Sequence, residues 1–187
     1  MSTESHDSQL LARIARQDRQ AFDELYHAYY RRLSRFLQRL APHYQFAEEI
    51  INDTFWVVWN SAGEFRGAAR VSTWIMGIAY RRALHGLRDD RRSAGPNGGQ
   101  IDEDLVSNDA LGEPHDVEDW VAQGLRTLPT EQRITLELAY FMGHSCEEIA
   151  AITDCPVSTV KARMFRARER LRKTLPTLGG SPSMISP

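Results

Sequence analysis

Between Ser158 and Lys173 the chain concentrates Lys161, Arg163, Arg166, Arg168, Arg170, Arg172 and Lys173 against a single acid, Glu169. Cations at this density meet anions. With the hydroxyls of Ser158 and Thr159 beside them they have the chemistry of a nucleic-acid surface, where hydroxyls and helix N-termini hold phosphates and Arg or Lys read guanine O6 and N7. A second group lies in the segment Glu64–Val71. Arg66 and Arg70 can hold phosphates there, and Gly67 permits close backbone approach. A third group, Glu49, Asn52, Asp53 and Trp56, follows steps of three or four, so all four lie on one helical face. No Walker loop, nucleophile elbow or HExxH occurs, and the six histidines are scattered, none beside carboxylates at a metal-ligand spacing. These groups suit binding, no catalytic constellation stands beside them, and no cofactor or metal is expected.

The elements that must carry the first group can be read directly. Ser145 and Glu148 have the spacing of a capping box, directly after Gly143, a residue suited to ending the preceding helix. Ile149, Ala150 and Ile152 give a short helix an apolar side. Thr153, Asp154 and Cys155 break it, and Pro156 stands near the first turn of the next helix, where a missing N–H costs little. In that second helix Val160, Met164, Ala167, Leu171 and Leu175 form one apolar stripe, and the cations take the other faces. One side packs and the rest meets anions, as in the recognition helix of a helix-turn-helix. An Arg-rich amphipathic helix can also be a plain solvated surface; the capped first helix, the short break and the proline start together favour DNA.

The N-terminal part has three or four helical segments. Asp7 or Ser8 can open the first, with Leu10, Leu11 and Ile14 as its apolar face. Gln20–Leu40 is a long second helix with Phe22, Leu25, Tyr29, Leu33, Phe36, Leu37 and Leu40 on its buried side, limited by Pro42. Phe46–Trp59 follows, with Ile50, Ile51, Phe55, Val58 and Trp59 as core. After the loop, Ser72 or Thr73 caps a helix from Trp74 to about Arg88. No alternating strand pattern of any length occurs, so the chain reads as all-α, without internal repeats.

The net charge of −2 hides an asymmetry. Residues 1–92 carry 14 Lys and Arg against 11 Asp and Glu, residues 93–119 carry none against 8, and residues 120–187 carry 9 against 6. The acidic block, rich in Gly, Pro and Asn, reads as a linker. It is either a solvated spacer or a charge that keeps the basic surfaces off DNA or mimics DNA in a channel. The expected organisation is two helical domains, 7–92 and 118–176, joined by a flexible acidic linker at 93–117 and followed by a flexible tail at 177–187. Cys146 and Cys155 offer no disulfide framework or strong zinc pattern and read as reduced, partly buried thiols. Hydrophobic residues make up 42% and mean hydropathy is −0.46. No run approaches the roughly 18–20 apolar residues of a membrane span, and the polar start has no signal-peptide pattern. No membrane insertion and a cytoplasmic location are expected.

Two blocks together resemble a family. Residues 46–92, with the run A-E-E-I-I-N-D-T-F-x-x-x-W and then S-T-W-I-x-x-I-A, are similar to region 2 of bacterial sigma factors of the extracytoplasmic-function (ECF) subgroup of the sigma-70 family. Residues 128–175 resemble region 4, through Leu128-Pro129, Arg133, Glu148-Ile149-Ala150, Thr159-Val160-Lys161 and Arg166-Ala167-Arg168. Their order and the acidic linker between them also match. Region 4 alone is weakly specific, because many regulators carry a similar helix-turn-helix; the pair is highly specific.

The resemblance implies a transcription initiation factor that binds core RNA polymerase, directs it to promoters and helps melt the DNA, and that is not itself an enzyme. It implies that the face of Glu49, Asn52, Asp53 and Trp56 docks the clamp helices of the polymerase's largest subunit; the alternative for this face is an ordinary solvated acidic surface. Arg66, Arg70, Ser72, Thr73, Arg81, Arg82 and Arg88 would serve the melted −10 element, where a base is taken out of the stack and the strand backbone is held. Trp74 reads as core. Ser158, Thr159, Lys161, Arg163, Phe165 and Arg166 would read the duplex −35 element, with Arg168, Arg170 and Arg172 as phosphate contacts or solvated charges. The chain departs from the family's common pattern at Gly77, often Arg, at Arg81, often Asn, and at His85, often Asp. Family members are commonly held inactive by an anti-sigma factor, so one is an implied partner, and a membrane-bound one would keep the protein at the inner membrane. Two other readings compete: an ordinary helix-turn-helix regulator that binds duplex DNA alone, and an interaction protein that sequesters a partner. The block 46–92 speaks against the first, because its basic loop and Trp-rich helix suit polymerase and single-stranded DNA better than a ligand pocket.

Overall fold

Helix boundaries follow from local chemistry. Asp18 Oδ1 accepts the N–H of Ala21 at 3.1 Å and so caps the second helix, while its other oxygen takes the Arg13 Nε–H at 2.8 Å. These hydrogen bonds, the backbone one first, hold the Asp18 carboxyl below its ordinary pKa. The computed structural model describes residues 3–40, 44–93 and 117–178. Pro42, the body of the acidic linker and the tail beyond Leu178 lie outside the described residues. The helices are α1 (Thr3–Ile14), α2 (Arg19–Leu40), α3 (Tyr44–Ser61), α4 (Val71–Ser93), α5 (Val117–Arg126), α6 (Thr130–Leu136), α7 (Cys146–Thr153) and α8 (Val157–Thr174). Short turns fill Ala62–Glu64, Glu137–Phe141 and Leu175–Leu178, the middle one π-helical. All regular structure among the described residues is helical, as the absence of period-two patterning predicts. None of these helices is long and apolar enough to cross a membrane.

The chain forms two compact units. One takes in α1 to α4 together with residues 147–155 of α7 and its turn, and the other holds α5, α6 and α8. In the first unit α1 packs on α2 and α4, and α3 packs on the same two helices, closing a four-helix arrangement. Its interior takes in most of the apolar positions the periodicity predicts, although Phe22 and Trp59 are only half-buried, and α4 adds a row not singled out from the sequence. Leu10, Leu11 and Ile14 of α1, Leu25, Leu33, Phe36 and Leu37 of α2, Ile51, Phe55 and Val58 of α3, and Val71, Ile75 and Ala79 of α4 are all buried. Phe22 stands edge-on to Phe55 and Trp59, with centroids 5.8 and 5.2 Å away.

Two expectations are corrected here. α1 starts at Thr3, not at Asp7 or Ser8. Asp7 is buried inside the helix, where its carboxylate accepts the Tyr29 hydroxyl of α2 instead of capping. Burial and that carboxylate push the Tyr29 hydroxyl well above its ordinary pKa, so it remains a donor. α4 starts at Val71 rather than Trp74 and runs on to Ser93. Its first free N–H, on Val71, is taken by Glu4 Oε1 at 2.8 Å, so a carboxylate from α1 does the work expected of Ser72 or Thr73.

In the second unit Leu125, Leu128, Leu136 and Ala167 form the core, with Met164 and Leu171 packed against it. Gly124 of α5 lies so near α8 and the turn after it that a Cβ there would come within 2.5 Å of Leu175 Cδ2. Arg133 of α6 is buried with Glu137; burial lowers its pKa and the Glu137 carboxylate opposes that shift.

Candidate polymerase and promoter interfaces

α3 presents its polar face as the spacing predicts. Glu49, Asn52, Asp53 and Trp56 are all exposed, Trp56 by 68%. The opposite side of the helix is the buried row Ile50, Ile51, Phe55 and Val58, so the face cannot rotate away without emptying the core. Two features that sequence spacing does not show border it. Tyr26 and Tyr30, one turn apart on α2, point their hydroxyls at Asn52 Oδ1 and Glu48 Oε1, 3.4 and 3.3 Å away. On the far side Arg82 of α4 stands 3.9 Å from Asp53, both half exposed.

The loop between α3 and α4 is held at its two ends. Phe65 is half-buried and its ring lies 5.2 Å from that of Trp74, which agrees with Trp74 as a packing residue. Between them Arg66 and Arg70 are exposed, and Gly67 has φ +70°, a conformation that strains any side chain. Ser72 is half-buried, whereas Thr73 is only 3% exposed and its hydroxyl donates to Glu148 Oε1 at 3.1 Å. Arg70 Nε stands 3.4 Å from the same oxygen. Both contacts lie within the first unit. Further along α4, Arg81 and Arg82 are exposed. The Arg81 guanidinium lies over Gly77, where a Cβ would meet it at 3.3 Å. Arg88 is on the same helix, but its side chain lies outside the described residues.

α8 is organised less simply than its cation count suggests. Gly143, with φ +72°, ends the turn before α7, and Asp154, with φ +52°, makes the break after it. Pro156 stands just ahead of α8, its carbonyl accepting the N–H groups of Thr159 and Val160 at 2.9 and 3.2 Å. The apolar stripe is as expected: Val160 and Ala167 are buried, and Met164, Leu171 and Leu175 partly so. Ser158, Thr159, Ala162, Arg163 and Arg166 line an open depression together with Glu131 of α6. Arg163 is ion-paired with Glu131, and its side chain is only 17% exposed. Arg166 and Lys161 are exposed, and so is Phe165, by 67%. Arg168 is held on the Tyr140 hydroxyl, with Nη2 at 2.6 Å and Nε at 3.1 Å, and Arg172 pairs with Glu169 at 3.2 Å. Glu131 and Tyr140 are the members of this surface that spacing on α8 cannot reveal. Both come from the segment 130–141, and only the tertiary packing of α6 on α8 brings them there.

Residues 25–93 match the family description "Sigma-70 region 2", and residues 118–171 match "Sigma-70, region 4". Across nearly the full length, the chain is 32% identical over 189 residues to the RNA polymerase sigma-H factor of Pseudomonas aeruginosa, covering 95% of this chain and 98% of that protein. It is 31% identical over 184 residues to the ECF RNA polymerase sigma-E factor of Escherichia coli K12, covering 91% and 95%. The chain belongs to the ECF group of the sigma-70 family.

As an ECF sigma factor it is an alternative initiation factor that binds core RNA polymerase and directs transcription from particular promoters. Proteins of this family initiate transcription without being catalysts themselves. The fold has solved counterparts. CnrH, in complex with the cytosolic domain of CnrY, aligns with a TM-score of 0.68 at 21% identity over 92% of this chain and 98% of that one. The sigma factor RpoE from Bartonella quintana, in complex with the anti-sigma factor NepR, aligns with a TM-score of 0.65 at 25% identity over 85% and 98%.

Proposed function

We propose that this sigma factor divides its work between two surfaces, and that the residues grouped above carry it. The α3 face of Glu49, Asn52, Asp53 and Trp56 docks core polymerase. Its support is a large exposed indole among acids on a helix whose other side is locked in the core, the composition of a protein-binding hot spot rather than of a solvated face. Arg66, Arg70, Ser72, Arg81, Arg82 and Arg88 serve the melted −10 strand, with Thr73 supporting them from beneath. The Arg81 guanidinium stands over Gly77, which brings a cation from one turn away to the position where the family commonly carries Arg. Ser158, Thr159, Lys161, Arg163, Phe165 and Arg166 read the duplex −35 element. The observation that carries this is the depression on α8, where hydroxyls and guanidinium groups converge.

On this reading residues 7–92 form the polymerase and −10 domain, 118–176 the −35 domain, and 93–117 the acidic connection between them. An anti-sigma factor restrains the protein, as the solved complexes of CnrH and RpoE suggest by analogy, and the site of action is the cytoplasm, where polymerase works. Transcription by core polymerase with and without this protein, on a library of bacterial promoter fragments, tests the reading. Specific initiation that needs the protein is expected, and the starts deliver the −35 and −10 sequences. Binding to duplex DNA without polymerase, and no initiation with it, would instead identify an ordinary regulator.

A further inference from the structure

Glu131 stands out among the groups lining the α8 depression as the one acid at a surface otherwise suited to anions. It lies in the first turn of α6, its side chain is 47% exposed, and its carboxylate pairs with Arg163 beside Ser158, Thr159 and Arg166. If the surface served phosphates alone, this acid would only weaken it, because each fixed negative charge opposes the counterion-release gain of neutralising the backbone. Base edges are different. A guanidinium matches guanine O6 and N7, and a carboxylate accepts from the N4 amino group of cytosine. A carboxylate that faces thymine O4 meets an acceptor instead and stays desolvated without a partner, which is costly. An Arg–Glu pair therefore presents a donor and an acceptor side by side, in an orientation each holds for the other before DNA arrives. That lowers the ordering cost of binding, which is greatest for long side chains.

We propose that Glu131 is a specificity-determining residue of the −35 surface: it positions Arg163 and itself selects for a base pair that offers an amino donor. The proposal rests on the reading that α8 contacts the −35 element. It makes α6, and not the recognition helix alone, part of what decides which promoters are used.

The test uses holoenzyme assembled from core polymerase and the full chain. A promoter from the initiation screen is the probe, with each −35 base pair changed in turn. For each change the readout is the ratio of initiation from the original to the altered promoter, measured on one preparation, so the active fraction cancels even if a variant is partly unfolded. Glu131→Gln keeps the size and removes the charge; Glu131→Asp keeps the charge and withdraws it by one carbon. With Glu131→Gln the ratio is expected to fall by about fivefold or more at one −35 position or two adjacent ones, the lower end of what a good base contact discriminates. Binding to unrelated duplex is expected to strengthen at the same time. Glu131→Asp should retain the weak non-specific binding but not the ratio. If Glu131→Gln changes every promoter by the same factor, its effect is only electrostatic or structural and the proposal is overturned. Arg166→Ala separates the two levels. If it shifts −35 ratios while Glu131→Gln does not, only the role of Glu131 falls. If neither shifts them, or the screen yields no promoter, the −35 reading falls and this proposal with it.

Discussion

The α3 face and the α8 surface are both single-helix surfaces with one buried side, yet they are assembled differently. On α3 the exposed groups follow one another along the helix, and the contacts that border them, from Tyr26, Tyr30 and Arg82, are 3.3 to 3.9 Å long. Rotation is set by the core, and the face is complete in one segment of sequence. On α8 the cations look equivalent in sequence but are sorted by their partners, Glu131 and Tyr140 from outside the helix and Glu169 from within it. Arg163 goes to Glu131, Arg168 to Tyr140 and Arg172 to Glu169, while Arg166 and Lys161 lie exposed. A docking face for a protein needs shape and a buried anchor. A reading surface needs each donor aimed to within a hydrogen bond, and the aiming comes from tertiary contacts.

The comparison breaks most visibly under the double change Arg163→Ala and Arg166→Ala. Each lost base contact is expected to cost about 1–3 kcal/mol. Initiation that depends on −35 should therefore disappear in a run-off assay, while the affinity for core polymerase stays as it was. Next is Trp56→Ala, which should weaken core binding by about 2 kcal/mol, seen by titrating labelled protein into core enzyme, with melting temperature little changed because the indole is exposed. A control should touch neither surface. Tyr29→Phe removes the donor to buried Asp7 and should cost about 1 kcal/mol or somewhat more of unfolding free energy in urea, leaving −35 preference intact; a change in preference would mean the surfaces are not set independently. The smallest effect is expected at the α2 cap. The Asp18 pKa is lowered in the folded chain, so its stabilisation is present above the unfolded carboxylate's pKa and is lost as pH falls through the folded value. Asp18→Asn should melt slightly below the parent at neutral pH, and the difference should close in acid.

Much of this was legible in the sequence. The apolar rows of α2, α3 and α8, the break around Asp154 and the polar face of α3 are all periodic or local features, and a single helix displays them. Helix starts were less legible. Asp7 looks like a cap but is used by Tyr29, and Ser72 and Thr73 look like caps although Glu4, far away in sequence, supplies the acceptor. The same physics hid Glu131 and Tyr140. Neither falls on the apolar stripe or among the cations that spacing on α8 picks out, and each meets its arginine across a long stretch of sequence. Their roles depend on which helix packs beside them, which no local spacing encodes.

The most direct test of the division of labour measures both functions on both variants. Trp56→Ala and Arg166→Ala proteins are each titrated against core polymerase, and each saturated holoenzyme is then assayed on promoters with intact and altered −35 elements. Trp56→Ala is predicted to raise the dissociation constant and leave the −35 preference of the saturated holoenzyme unchanged, and Arg166→Ala to do the reverse. Equal loss of both functions in either variant would contradict two separable surfaces.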